Sequence, residues 1–333
     1  MGLEDLKVFK SIMFLKCEGF FYVMYKIKEQ PDDFLVEEEG NLEMDDSGKY
    51  LYFLMTKKNY TTLRALEAIG DAIGIGLKRF GFAGSKDKNA ITKQMVSVRG
   101  CSKERLDSFT LQDISVEFAG FGKEPISLGD LEGNRFDIIV RNITQKPKKV
   151  DKIKNYFGEQ RFSRNNAEIG RMIVKRDFKK AVELVLEGKG DYERRVTDFI
   201  GLHETDYVGA LRQIPKKILT MYVHAYQSEF WNKMAGEVDE GGVPIIGFGS
   251  DGKDVDEVLK KEGISTRDFI FREIPELSAE GGERDLYVKI KDLEIGDLEE
   301  DELNKGMKKC KVSFVLGKGS YATEVIKVLF EDC

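Results

Sequence analysis

The sequence predicts a mixed α+β fold in which a β-rich chain is interrupted by a helical segment. Alternation of apolar and polar residues, which is typical of strands, recurs between residues 33 and 140 and returns after residue 283. After Pro147, apolar residues instead repeat with helical periodicity. A β-rich start, a helical middle and a β-rich end indicate one domain interrupted by another. The 333 residues are enough for about two domains, each with its own core.

Local patterns predict the individual elements. Period-two alternation predicts strands over residues 33–38, 50–55, 94–98, 136–140, 286–290 and 312–316. Thr61 and Thr62 can cap a helix, and its apolar face is predicted to carry Leu63, Leu66, Ile69 and Ile73. Helical periodicity predicts further helices over residues 152–157, 166–187 and 217–234.

Composition excludes several classes of protein. The chain is 41% hydrophobic and 34% charged, which argues against disorder, and it has no glycine period or heptad series. The apolar runs Ser11–Leu15 and Phe20–Tyr25 are far shorter than the roughly 18 residues of a membrane helix, and no cleavage site follows the first. Two histidines and four scattered cysteines indicate neither a metal site nor a disulfide framework, so a cytoplasmic location is expected. The cysteines are Cys17, Cys101, Cys310 and Cys333.

Charge is distributed unevenly along a chain whose formal net charge is −6. Residues 146–180 contain twelve basic and four acidic residues, whereas residues 237–302 contain eight basic and 21 acidic residues. A local basic field can neutralise phosphates and attract RNA even on an acidic protein. Solvated helix faces are the simpler interpretation of charge alone. The acidic segment is expected to face away from any polyanion.

The densest polar cluster is residues 81–94, where glycine, serine, aspartate and asparagine predict a turn that leads into a strand. Asp87 lies in this turn with lysines on either side. An aspartate that only caps a surface turn is the commoner case. Alternatively, the lysines keep the carboxylate ionised, and it then acts as a nucleophile or a base without a metal.

Two further segments combine polar and aromatic residues. Residues 131–136 are predicted to form a turn that leads into a strand. This turn is either the plain start of a hairpin or a site where Asn134 hydrogen-bonds the edge of a base and Phe136 stacks on the same base. Residues 155–162 interleave aromatic and basic residues, as sites for unpaired RNA do, although aromatics at a helix end more often pack into a core. Residues 317–321 lack the spacing of a phosphate-binding loop.

In this order, the segments resemble the motifs of the TruD family of tRNA pseudouridine synthases. Residues 28–38 are similar to K-x-x-P-x-D-F-x-V-x-E, residues 82–94 to G-x-K-D-[KR]-x-A-x-T-x-Q, residues 133–136 to G-N-x-F, residues 155–162 to N-Y-F-G-x-Q-R-F, and residues 316–323 to L-P-x-G-S-[YF]-A-T. Gly317 stands where the last motif has proline, and Ser163 follows Phe162 where many relatives have glycine.

The resemblance implies a fold and a reaction. The fold is a bent, mainly antiparallel sheet with flanking helices, formed by residues 1–158 and 274–333 and interrupted by a mainly α-helical insertion at 159–273. The reaction isomerises uridine to pseudouridine, typically at position 13 in the D-arm of tRNA. Neither a metal, an organic cofactor, a membrane nor an obligatory protein partner is implied.

The resemblance also implies roles for single residues. Asp87 is the catalytic aspartate, Lys28 its salt-bridge partner, Phe136 the ring stacked on the target base, and Asn134 a residue that holds the pocket. The matched motifs add Phe34, Lys86, Gln94 and Arg161 as candidates for substrate binding.

The reaction breaks the N1–C1′ bond, turns the uracil and joins C5 to C1′. Asp87 can attack C1′ or remove a proton from C2′, and the sequence leaves both roles open. Either role needs an ionised carboxylate in a dry pocket, which a buried Lys28 ammonium supports. Three other hypotheses stay open at this point: a tRNA-binding protein without essential catalysis, an RNA glycoside hydrolase that releases uracil, and a structural protein.

Overall fold

The computed structural model describes residues 25–188 and 190–331, without the side chains of Gln160, Ser163 and Arg164. Residues Ser11–Leu15, most of Phe20–Tyr25, and the cysteines Cys17 and Cys333 lie outside the described residues. Within the described ranges, no helix is long and apolar enough to cross a membrane, and no group of three or more potential ligands could hold a metal ion.

Thirteen strands lie within the described ranges. They are β1 Phe34–Glu39, β2 Tyr50–Lys58, β3 Phe80–Phe82, β4 Ile91–Arg99, β5 Ile114–Gly122, β6 Gly133–Ile143, β7 Lys152–Lys154, β8 Val243–Ile245, β9 Gly282–Arg284, β10 Tyr287–Lys289, β11 Lys291–Ile295, β12 Glu299–Glu300 and β13 Lys308–Gly317.

The same ranges contain nine α-helices and five short 3₁₀ helices. The α-helices are α1 Thr62–Ile73, α2 Lys103–Leu106, α3 Asn166–Val174, α4 Phe178–Val185, α5 Asp191–Leu202, α6 Tyr207–Leu211, α7 Lys216–Glu237, α8 Lys253–Glu262 and α9 Ala322–Phe330. The 3₁₀ helices are Pro31–Asp33, Leu77–Arg79, Glu159–Asn165, Thr266–Phe269 and Pro275–Leu277.

One large sheet contains most of the strands, in the order β11-β13-β6-β1-β4-β2-β5, with β12 added to β13 and β3 added to β4. Strands β1 and β4 run parallel, and every other described pair in this sheet is antiparallel. The predicted α+β class with a mainly antiparallel sheet is therefore confirmed. Both β1 and β3 pair with the same edge of β4, and the chain between β3 and β4 emerges beside this junction.

Strand register places the sequence motifs on one face of the sheet. Val36 pairs with Thr92 on one side and with Phe136 on the other, while Lys57 pairs with Thr92. Directly paired residues point to the same face of a sheet. The first, second and third matched motifs thus meet along a single row.

Helices α1 and α9 contribute to two separate hydrophobic clusters of the sheet. Leu66 and Ile69 of α1 belong to one cluster with Phe53, and Ile326 of α9 belongs to the other with Phe314. The prediction for α1 was wrong at Leu63, which is 41% exposed. Thr62 is buried instead, because its hydroxyl bonds the sheet, and this rotates Leu63 towards solvent.

The helical segment has its own core around α7, with Trp231 among its fully buried side chains. Its apolar cluster extends from Phe157 to Leu286, and Phe157 lies edge-on to Trp231 with 5.7 Å between the ring centroids. The predicted helix over residues 166–187 is divided into α3 and α4 at Arg176, which adopts a left-handed conformation with φ of 62°.

The predicted helix over residues 152–157 was wrong. Residues 152–154 form β7, whose central Ile153 is buried between two lysines and pairs with Val288 of β10. Six residues carry too little periodicity to distinguish a helix turn from a short strand. The chain thus enters and leaves the helical segment through two paired strands.

Candidate active site

Asp87 lies in the chain between β3 and β4 that emerges beside the β1/β4 junction. Its side chain is 37% exposed, so substrate can reach it. Lys28 Nζ donates to Asp87 Oδ2 at 2.7 Å, which brings the first and second matched motifs together across 59 residues of chain. This ion pair gives the carboxylate a fixed counter-charge at the surface of the sheet.

Lys28 is held in an unusual backbone conformation, with φ of 59°. Its ammonium lies 4.0 Å from the centroid of the Phe34 ring, a cation–π contact that limits where the nitrogen can move. Phe34, predicted to bind substrate, is 2% exposed and therefore supports Lys28 from the core.

The segment that carries Lys28 is anchored by a buried group of charges. Arg141 of β6 bonds both carboxylate oxygens of Asp33 at 2.8 to 3.0 Å and also contacts Asp301 at 3.0 Å. Asp33 in turn accepts from the Gln30 N–H at 2.9 Å. Burial alone would raise the pKa of Asp301, but hydrogen bonds from Asn142, Asn304, Leu303 and Arg141 hold it at about 2.

Hydrogen bonds from beneath fix the loop that carries Asp87. Thr62 Oγ1 accepts from the Lys86 N–H at 2.9 Å and donates to Gln94 Oε1 at 2.9 Å. Gln94 Nε2 then donates to the Gly84 carbonyl at 3.0 Å. Gln94 is fully buried, so the structure places this predicted binding residue under the loop rather than in the opening.

Lys86 is also turned inward. Its Nζ lies 2.5 Å from Glu38 Oε2, and the two side chains are only 7% and 5% exposed. Glu38 was not singled out from the sequence, although Phe34, Val36 and Glu38 share one face of β1 at period two. That spacing is the signal that predicts an inward-pointing carboxylate.

Lys57 is the second residue that sequence reasoning missed. It is fully buried, and its Nζ donates to the Asp87 carbonyl at 2.7 Å and to the Tyr60 carbonyl at 2.6 Å. Burial lowers the pKa of Lys57 to about 8, although the Asp87 charge opposes this shift. The prediction ended the strand at Met55, two residues before Lys57, which continues the buried alternation of β2.

Phe136 and Asn134 lie on the same face of β6. The Phe136 ring is edge-on to Phe34, with centroids 6.2 Å apart, and is tilted 30° from Phe314 at 5.5 Å. Asn134 Oδ1 is buried and has no hydrogen-bond partner in the described part of the chain, and the same holds for Thr92 Oγ1. A buried acceptor without a donor is costly, so it is suited to a donor that arrives with a ligand.

Arg161 is not brought into this cluster by any described contact. Its Nε lies 3.3 Å from Ser228 Oγ, and its guanidinium lies 5.7 Å from the Phe157 ring centroid. Phe157 packs in the helical core, so for this ring the alternative of core packing is confirmed. The side chain of Arg164 is outside the described residues.

The chain was compared with known protein families, proteins and structures. A family model described as tRNA pseudouridine synthase D (TruD) matches residues 16–190, 185–246 and 241–329. The chain belongs to the TruD family. The tRNA pseudouridine synthase D of Aquifex aeolicus is 30% identical to it, over 92% of this chain and 98% of that protein.

Other members of the TruD family give the same result. The probable tRNA pseudouridine synthase D of Thermococcus onnurineus is 30% identical, over 92% of this chain and 95% of that protein. A crystal structure of the putative tRNA pseudouridine synthase D (TruD) from Methanosarcina mazei matches with a TM-score of 0.71 and 25% identity, over 93% of this chain and 94% of that one. The predicted family and its pseudouridine synthase fold are thus confirmed, and TruD membership makes this chain an enzyme, an isomerase.

Proposed function

We propose that this TruD enzyme isomerises a D-arm uridine of tRNA, at position 13, with Asp87 as its catalytic residue. The observation that carries the proposal is the 2.7 Å ion pair between Lys28 and an Asp87 carboxylate that remains open to solvent. An ionised, reachable carboxylate is the group that either route to glycosidic cleavage requires.

The reaction rearranges bonds within one nucleotide. Asp87 attacks C1′ to form an ester, or removes the C2′ proton, and in both routes the N1–C1′ electron pair leaves with the uracil. The uracil turns and C5 bonds to C1′, which breaks the ester bond to Asp87 in the first route and is accompanied by return of the proton to C2′ in the second. C5 then loses its proton and N1 gains one, so the product is an isomer of uridine. Lys28 bonds the Asp87 carboxylate and orients it before cleavage.

The target base has to leave its stack to reach Asp87, and the face of β6 offers replacement contacts. An aromatic ring recovers part of the stacking that a flipped base loses, which is the role proposed for Phe136. The unpartnered Asn134 Oδ1 can accept a hydrogen bond from the uracil N3–H. Thymine-like and uracil bases carry this donor, whereas cytosine does not, so the contact favours uridine.

The helical segment, taken as residues 159–273, is proposed to select the tRNA. The basic stretch at 146–180 runs into it, and phosphate contacts from such stretches dominate the affinity of RNA-binding proteins. Arg161 lies near the start of this segment, and its removal is expected to weaken binding and to flatten the salt dependence.

The proposal is tested by mapping pseudouridine on unmodified tRNA transcripts treated with wild type, Asp87→Asn and, as a control, Asp71→Asn on the exposed side of α1. We expect product at one D-arm position with wild type and the control, none with Asp87→Asn, and tRNA binding within about tenfold for all three. Normal turnover by Asp87→Asn contradicts the role of this residue. Release of free uracil would instead identify a hydrolase.

A further inference from the structure

A lysine is buried directly beneath the residue proposed to be catalytic. Lys57 ends the inward-facing series Leu51, Phe53 and Met55 of β2, and all four side chains are almost completely buried. Its Nζ is bonded to two main-chain carbonyls, those of Tyr60 and Asp87. Among the described residues, no carboxylate lies within ion-pair distance of it.

This arrangement is energetically unfavourable for a structural residue. A buried ammonium loses hydration that two carbonyls do not fully replace, and buried lysines usually pair with a carboxylate. The adjacent Lys58 shows the ordinary arrangement, because it is partly exposed and pairs with Asp32 at 2.6 Å. The position of Lys57 therefore requires a reason other than stability.

We propose that Lys57 is a positioning residue for the isomerisation, fixing the Asp87 main chain so that the carboxylate is held at the substrate. The inference rests on the proposed function, since it assigns Lys57 a role only through Asp87. Because Lys57 bonds the carbonyl, both carboxylate oxygens remain available, one to Lys28 and one to the nucleotide.

The two lysines hold different parts of the same residue. Lys28 bonds the carboxylate from the open side, and Lys57 bonds the backbone from the sheet side. The charged groups that act on Lys57 are Asp87 and Lys86, and the Lys86 charge is already paired with Glu38. The Lys57 ammonium thus adds a positive charge whose nearest acidic group is Asp87.

The charge state of Lys57 provides a readout that a purely structural role would not change. With a pKa lowered to about 8, Lys57 is charged below that pH and neutral above it. In the wild type, kcat is therefore expected to fall as the pH rises through about 8. An arginine at this position stays charged throughout that range.

The experiment compares Lys57→Met, Lys57→Arg and the control Lys58→Met with wild type and Asp87→Asn, measuring single-turnover rate, tRNA Kd and melting temperature. We expect Lys57→Met to lower the rate about 10²-fold, as displacement of a reacting group by about 1 Å does, with Kd changed less than threefold. Lys57→Arg should keep activity within about tenfold of wild type at pH 7 and lose the decline above pH 8. Lys58→Met should retain both the rate and the decline.

Two results would overturn the inference while leaving the proposed function intact, provided that Asp87→Asn is inactive. The first is a single-turnover rate of Lys57→Met within twofold of wild type. The second is a decline in the rate of Lys57→Arg above pH 8 that equals the decline of wild type. If Lys57→Met does not fold, the pH profile of Lys57→Arg decides the question alone. An active Asp87→Asn would instead contradict the proposed function.

Discussion

Three lysines lie around Asp87, and each is held by a different kind of partner. Lys28 bonds the Asp87 carboxylate, Lys57 bonds two carbonyls, and Lys86 bonds the carboxylate of Glu38. Only the first of these bonds the Asp87 carboxylate itself. The others stabilise the loop, so lysines that look equivalent in the sequence have different tasks.

Asn134 gives a prediction at the residue scale. Replacing Asn134 with leucine removes a buried acceptor that has no donor, so the free energy of unfolding should stay within about 1 kcal/mol of wild type or rise. The isomerisation rate should nevertheless fall roughly tenfold to a hundredfold, because the uracil N3–H loses its acceptor.

The two measurements for Asn134→Leu are urea denaturation and single-turnover kinetics on the same tRNA transcript. A matched change at Asn142→Leu, on the same strand but in the left-handed conformation, should instead destabilise the fold. A rate equal to wild type in a stable Asn134→Leu protein would exclude the proposed contact with the base.

Local patterns offered Asp87, Asn134 and Phe136 as candidates beside simpler alternatives, and the motif resemblance favoured the functional interpretation. Lys28 was identified by resemblance alone, and the structure places its Nζ 2.7 Å from Asp87 Oδ2. Lys57 and Glu38 were not among the residues singled out from the sequence. Both side chains are buried, and their burial arises from pairing between strands that are distant in sequence. The strand predicted over residues 33–38 already contains Glu38 on the face of Phe34 and Val36. Extending the strand predicted over residues 50–55 by two residues would have placed Lys57 on the inward face of β2.

At the scale of elements, the loop between β3 and β4 depends on the start of α1. Thr61 caps this helix by accepting from the Arg64 N–H at 3.3 Å, and the next residue, Thr62, bonds both the loop and Gln94. The N-terminus of α1 is therefore fixed to the strand that follows the loop carrying Asp87. Of two consecutive threonines, Thr61 caps the helix and Thr62 makes the tertiary contacts.

Gln94→Leu tests this connection. It leaves the Thr62 hydroxyl proton and the Gly84 carbonyl unpaired in the interior, so we expect a loss of roughly 1–3 kcal/mol in the free energy of unfolding. The single-turnover rate should fall about tenfold with unchanged tRNA binding, because only the loop is loosened. The control Gln112→Leu, in an exposed turn, should change neither quantity.

Element prediction succeeded where the pattern was long and failed where it was short. The strands β2 and β6 and the helix α7 were predicted, although some predicted ends fall three residues inside the observed bounds. Residues 152–157 were misassigned because pairing with β10, 130 or more residues away, decides their conformation. Leu63 was misassigned because a hydrogen bond of its polar neighbour outweighed its own apolar character.

At the scale of the whole molecule, the Arg141 group joins segments that are far apart in sequence. Arg141 lies 108 residues from Asp33 and 160 residues from Asp301, and all three side chains are almost fully buried. Bidentate pairing orients the guanidinium, and the second carboxylate completes its hydrogen bonds. No local pattern predicts such a group, since each member is an ordinary charged residue in its own segment.

Asp301 makes the stability of the fold depend on acid pH. Because its folded-state pKa of about 2 is below the ordinary value of 3.8, its contribution is present above pH 4 and is lost as the pH falls towards 2. The shift corresponds to roughly 2 kcal/mol. Asp301→Asn should therefore be less stable at pH 7 and should lose part of the decline between pH 4 and pH 2.

Urea denaturation at pH 7, 4 and 2.5 checks this prediction. Asp292→Asn is the matched control, because Asp292 is exposed and its described side-chain contact is a 3.4 Å ion pair with Arg135. The control should follow the wild-type pH dependence. Equal stability of Asp301→Asn and wild type at pH 7 would show that the buried group contributes nothing to folding.

The pairing of β7 with β10 has a consequence for how this enzyme family can vary. The two strands bring the start and the end of the helical segment side by side, so its length is not constrained by the sheet that carries Asp87. The alignments with relatives run over 383 and 404 positions, more than the 333 residues of this chain. Family members can therefore gain or lose residues between β7 and β10 while the strand order of the large sheet stays the same.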